Sequence, residues 1–194
     1  MRRFALVLAA TVVLGACGGT GHKNLATGAS TSWTSSSTTG AGSPTSTLPA
    51  GATAAVSVPP SAATSHLVAV RIARQPGFDR LVFEFEGALP GYSVAYTGRP
   101  IMGTSGKEIS VEGGAVLQVR MAHASGVDLT GATLRQTYAG PDRIRPAGTA
   151  GVAEAVRVED FEAVLTWVVG VRSQTPFRVT PLTSPSRLVV DVIA

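Results

Sequence analysis

The chain has 194 residues, 44% of them hydrophobic, and carries 16 basic against 12 acidic side chains. That length suits one domain of ordinary size plus an appendage, and a single cysteine excludes an internal disulfide, so the fold must rest on a hydrophobic core. Residues 66–194 hold 13 basic and 12 acidic side chains with no basic run, a balance that gives no support to nucleic-acid binding.

Met1-Arg2-Arg3 is a short positive segment, and residues 4–13 are an apolar run. The run is shorter than the roughly 20 residues that cross a bilayer and has the form of a secretory signal peptide. Leu14-Gly15-Ala16-Cys17 directly after it resembles the lipobox of bacterial lipoproteins. That resemblance implies cleavage after residue 16 and a lipid on Cys17, which anchors the chain to the outer side of the cell membrane. Several acyl chains hold far longer than one, since each buried CH₂ contributes about 0.8 kcal/mol.

Residues 18–65 are Gly, Ser, Thr, Ala and Pro with little else, and Lys23 and His22 are their only ionisable side chains. Such a composition buries too little apolar surface to offset the entropy of ordering, so residues 17–65 read as a disordered tether. A flexible coil of that length spans on the order of 40 Å.

Residues 66–194 read as a run of strands. Residues 67–74 alternate, and Gln75-Pro76-Gly77 turns into a second strand. There Leu81, Phe83 and Phe85 share one face, and Arg80, Val82, Glu84 and Glu86 the other. Pro90-Gly91 is a predicted tight turn. Tyr92, Val94 and Tyr96 line one face of the next strand, and residues 98–106 form a loop. Residues 107–112 and 115–121, joined by Gly113-Gly114, predict a hairpin. Between 122 and 151 the pattern dissolves into turn residues, with a short strand expected within 132–138. Residues 163–171 are apolar on nearly both sides, which places that strand centrally. Residues 177–182 and 187–193, joined by Ser184-Pro185-Ser186, complete the set. Many short strands with regular turns indicate an all-β fold, an antiparallel β-sandwich or a related barrel. Arg80-Leu81-Val82-Phe83-Glu84 has an echo in Arg187-Leu188-Val189-Val190-Asp191. Antiparallel neighbours would set Arg80 against Asp191 and Arg187 against Glu84.

Taken together, Gly77-Phe78-Asp79-Arg80-Leu81-Val82-Phe83-Glu84-Phe85, Leu89-Pro90-Gly91-Tyr92, Phe161-Glu162-Ala163-Val164-Leu165-Thr166-Trp167 and the closing Pro185-Ser186-Arg187-Leu188-Val189-Val190-Asp191-Val192 resemble the AMIN-like domains of bacterial lipoproteins. The closing run is also similar to the broader AMIN domains, β-sandwich modules attached to cell-wall amidases and secretins. The resemblance implies a non-catalytic module of the cell envelope that binds peptidoglycan or docks an envelope enzyme or secretion component.

Chemistry-bearing residues are sparse. His22, His66 and His123 lack ligand spacing, so no metal or cofactor is expected. No Gly-x-Ser-x-Gly is present, and Glu84 and Glu86 read as solubility charges rather than an acid–base couple. For binding, the planar forks of Arg80, Arg143, Arg178 and Arg187 suit peptide-stem carboxylates. Tyr92, Tyr96, Tyr138, Phe161 and Trp167 offer flat faces for sugar rings. Parity assigns Tyr92, Tyr96 and Trp167 to the core, while Tyr138 and Arg143 are expected exposed in the long loop.

Overall fold

The structure is a computed structural model that describes residues 51–60 and 62–194. The signal-peptide reading, Cys17 and the tether up to residue 50 lie outside the described residues. Those residues form thirteen strands: β1 (Val56–Val58), β2 (Ser65–Gln75), β3 (Phe78–Glu86), β4 (Gly91–Thr97), β5 (Ala115–Ala122), β6 (Ala124–Ser125), β7 (Val127–Asp128), β8 (Arg135–Gln136), β9 (Arg143–Ile144), β10 (Val152–Phe161), β11 (Val164–Val171), β12 (Phe177–Thr183) and β13 (Ser186–Ile193).

Two sheets enclose the core. One has the order β1-β4-β5-β11-β10-β9 and the other β12-β13-β3-β2-β6, while β7 and β8 pair by themselves. All pairings are antiparallel except β2 with β6. The alternation seen in the sequence decides which side faces in. Leu81, Phe83 and Phe85 of β3 and Leu188, Val190 and Val192 of β13 meet Val94, Leu117, Val119, Leu165, Trp167 and Val169 from the other sheet. Trp167 sits at the centre, edge-on to Phe83 at 6.0 Å and to Tyr138 at 5.8 Å. The all-β sandwich expected from the sequence is therefore present.

The central strand is β11, flanked by β5 and β10. Its apolar outer side is explained by a second cluster, in which Ile101 and Val111 lie over Val116, Val156 and Val168. Residues 107–112 thus do not form the predicted hairpin strand. Both edges of β5 are already taken, by β4 and β11, so the segment crosses above the sheet and makes only the bridge of Met102 with Glu108. The crossing is close. A Cβ on Gly170 would lie 1.8 Å from the Glu112 carbonyl oxygen, and one on Gly114 2.4 Å from that of Arg172. Gly-Gly serves this approach rather than a hairpin turn.

Two further expectations change. Pro90-Gly91 is no tight turn, because β3 and β4 belong to different sheets. Gly91 opens β4, and a Cβ there would fall 2.3 Å from Cα of Pro60, so its bareness lets the chain before β2 pass. Order also begins earlier than composition indicates. Val56–Val58 pairs with β4 and Ala52 bridges Phe177, all within the stretch read as tether.

The 122–151 excursion is stitched down one residue at a time. Ala124 and Tyr138 enter the core, Thr137 Oγ1 donates to the Leu67 carbonyl at 2.8 Å, and β9 adds to β10. Its far end is gathered by the buried Asp79 carboxylate, which accepts from the N–H groups of Ala150 (3.2 Å), Gly151 (2.6 Å) and Val152 (2.9 Å). Burying that charge is tolerable because three donors replace its water. The strand expected within 132–138 is present as the two-residue β8.

Candidate functional site

The five arginine and tyrosine candidates divide between two sheets and the core. With Leu81, Phe83 and Phe85 pointing inward, Phe78, Arg80, Val82, Glu84 and Glu86 of β3 point out, beside Arg187, Val189 and Asp191 of β13 and Arg178 of β12. The register sets Arg80 opposite Asp191 and Arg187 opposite Glu84, the pairing drawn from the echo. Arg80 engages Asp191 with both arms of its fork, Nε to Oδ1 at 2.7 Å and Nη2 to Oδ2 at 2.9 Å, and Arg178 Nη2 reaches Oδ2 at 2.9 Å. Both guanidiniums also lie near the Phe78 ring, 5.1 and 5.8 Å from its centroid.

This face is less of an outer ladder than its sequence implies, because Asp191 is buried beneath its arginines. Burial alone would raise its carboxyl. The hydrogen bonds from Arg80 and Arg178 outweigh that and hold it below the usual carboxylate range. Glu84 faces Arg187 but is bonded by Arg71 from β2, and Arg187 Nε is buried without a hydrogen-bond partner. Four arginines therefore share the face with three carboxylates, Glu84, Glu86 and Asp191, and Glu86 is also held by Arg135 from β8, so the positive excess is small.

The other two candidates lie elsewhere, and Tyr138 departs from its expected exposure. Tyr138 is 2% exposed, not a loop-tip residue. Its ring packs against Trp167 and its hydroxyl donates to the Pro141 carbonyl at 2.9 Å, so it anchors the excursion and offers no face to a sugar. Arg143 is occupied as a strut, with Nη1 2.6 Å from Glu154 Oε1 and Nη2 3.0 Å from the Ser110 carbonyl. The reason is Glu154, a fully buried carboxylate on β10 that needs a cation. Burial would raise its carboxyl, but Arg143, the Glu112 N–H and nearby Arg145 hold it low. Tyr92 and Trp167 are core residues as parity indicated, and Tyr96 is half-buried, its hydroxyl donating to the Thr175 carbonyl at 2.7 Å.

A second feature escaped the sequence. A cleft of about 550 Å³ opens where the start of the excursion meets the tip of the β10–β11 hairpin, walled by Val127, Leu129, Leu134, Phe161 and Ala163 with His66. Leu129 and Leu134 stand alone among turn residues, so no periodicity marked them. Phe161, one of the candidate aromatics, is the part that the sequence marked. At the cleft floor Ser125 Oγ donates to Asp160 Oδ1 at 2.8 Å and accepts from the Val127 N–H at 3.0 Å, a loop-closing pair. Among the described residues no three His, Cys, Asp or Glu gather as a metal site.

No curated protein and no solved structure matches the chain. Residues 65–194 match the AMIN-like domain family over the span of the sandwich from β2 to β13, and the chain belongs to that family.

Proposed function

We propose that the protein is a non-catalytic, lipid-anchored module on the outer side of the cell membrane that holds peptidoglycan through the outer face of the β12-β13-β3-β2 sheet. The observation that carries this reading is the cluster of guanidiniums there: Arg71, Arg80, Arg178 and Arg187 against Glu84, Glu86 and Asp191, with Glu86 also held by Arg135. Peptidoglycan stems end in carboxylates, which planar forks recognise in pairs. A flat sheet face also suits a long polymer better than a deep pocket does. Membership in the AMIN-like family supports an envelope-binding role in general.

The test is co-sedimentation of the full chain with purified peptidoglycan, with cellulose as the inert control. Enrichment over cellulose that falls with rising salt is the expected result; equal recovery on both would end the reading. Anchoring is tested separately. Cys17→Ala should release the protein from the membrane fraction, and unchanged retention would remove the lipid from the account.

A second reading, docking of an envelope protein, has one observation in its favour. The concavity beside the excursion is apolar rather than arginine-lined.

A further inference from the structure

The cleft combines three properties that together describe an occupant. First, it displays apolar side chains to solvent: Leu129, Leu134 and Phe161 are 72%, 68% and 61% exposed. Isolated exposed leucines are ordinary, but three large apolar groups around one concavity mark an interaction site. Covering each contributes on the order of tenfold or more in affinity.

Second, its walls are preformed. Asp128 Oδ1 accepts from Thr130 N (2.9 Å) and Oγ1 (2.6 Å), Arg135 Nη2 holds Asp128 Oδ2 at 3.1 Å, and Ala124 N donates to the Ala163 carbonyl at 2.9 Å. Among the described residues, the three non-glycine ones with positive φ are His123, Glu162 and Ala163, at 56°, 48° and 57°. Two of them line the cleft and the third adjoins it. Such conformations persist only where the surroundings enforce them, and they collect at binding clamps.

Third, the polar lining has a definite sign. Asp160 and Glu162 line the cleft, and among the described residues no Lys or Arg does. Asp160 is already paired with Arg157, whereas Glu162 makes no ion pair among the described residues. An anionic lipid or carboxylate ligand would meet repulsion here, and a cation would meet an unpaired partner. His66 Nδ1 is buried without a hydrogen-bond partner, its Nε2 lying 3.7 Å from Asp128. His66 thus adds a polar ring to a lining whose sign is set by Asp160 and Glu162.

We infer that the cleft docks a polypeptide segment with apolar anchor residues and an adjacent Lys or Arg. This rests on the docking reading and is independent of wall binding by the arginine face. The probes are short fluorescent peptides alternating Leu with Lys, Leu with Glu, and Ser with Lys. They are titrated against the full chain in zwitterionic nanodiscs, with empty nanodiscs subtracted. The Leu–Lys peptide should bind best, and Phe161→Ser with Leu134→Ser should weaken it at least about tenfold. Glu162→Lys should weaken it about fivefold or more. Both apolar positions are more than half exposed, so these changes leave the core intact.

Equal binding of the Leu–Glu peptide, or indifference to the Phe161 and Leu134 changes, would overturn the inference. A single-chain lipid that displaces every peptide would make the cleft a lipid site and overturn it as well. Arg80→Ala with Arg187→Ala should leave peptide binding unchanged, so loss of peptidoglycan retention in that variant is read separately.

Discussion

Asp191→Ala is expected to destabilise the protein by about 3 kcal/mol, toward the lower end of what breaking a buried ion pair costs. The carboxylate is 1% exposed and accepts from Arg80 twice and from Arg178 once. Removing it leaves two guanidiniums clustered over Phe78 with no counter-charge. Arg80 is 42% exposed at its side chain and regains water, which is why the cost stays below the maximum. Asp191→Asn keeps the shape and should cost less. The same bonds set a pH dependence. The folded-state carboxyl lies below its unfolded value of about 3.9, so the stabilisation is full above that value and is lost as pH falls through the folded one. Glu154, also held low, adds to the same acid limb. Urea unfolding as a function of pH should therefore show stability dropping below about pH 4, with a shallower drop in Asp191→Asn. An identical acid limb in both proteins would remove Asp191 from the account.

Trp167→Ala is expected to cost about 3–5 kcal/mol, the range for deleting a large buried aromatic. The side chain is fully buried and joins Phe83 of one sheet to Tyr138 of the excursion. Loss should therefore be uneven. Hydrogen exchange should show the Thr137 and Tyr138 amides, which bond the Gly126 carbonyl, losing protection before the amides of β3 do. Trp167→Phe is the informative companion. Indole Nε1 is buried without a hydrogen-bond partner, and its removal relieves an unsatisfied donor while leaving a modest cavity. That variant should lose only about 1 kcal/mol. A loss as large as that of Trp167→Ala would mean that Nε1 has a partner after all.

These two residues also mark how much of the structure was readable beforehand. Trp167 was readable because a strand apolar on both sides must be covered on both sides, and the second covering layer is the 98–114 segment. The Arg80–Asp191 pairing was readable because strand register converts a repeated charge pattern into contacts. Residues 107–112 misled for the same reason. Ile109 and Val111 alternate as a strand's side chains do, yet they alternate because they lie over a sheet. Only the occupancy of both β5 edges excludes pairing, and that is a property of the whole sheet. β1 was hidden in low-complexity sequence because a three-residue edge strand is held by backbone pairing more than by buried side chains.

The excursion was legible as an interruption but not in its role. Its anchors, Ala124, Tyr138 and the amides gathered by Asp79, act singly and so leave no period. Turn-rich stretches usually run over the surface, which predicts Tyr138 and Arg143 outside, and of the two only Tyr138 is buried. Trp167 needed an edge-on partner and Glu154 a counter-ion, and both partners come from that stretch. Choosing arginines by type alone could not separate Arg143, a strut, from Arg80, Arg178 and Arg187, which share one open face.

This arginine face is proposed to hold the carboxylates of peptidoglycan. The most direct measurement compares retention of the full chain on native peptidoglycan with retention on the same material after its stem carboxylates have been chemically amidated. Amidation should remove most of the binding, and Arg80→Ala with Arg187→Ala should remove a similar share on native material. Retention that is indifferent to both would contradict the proposal.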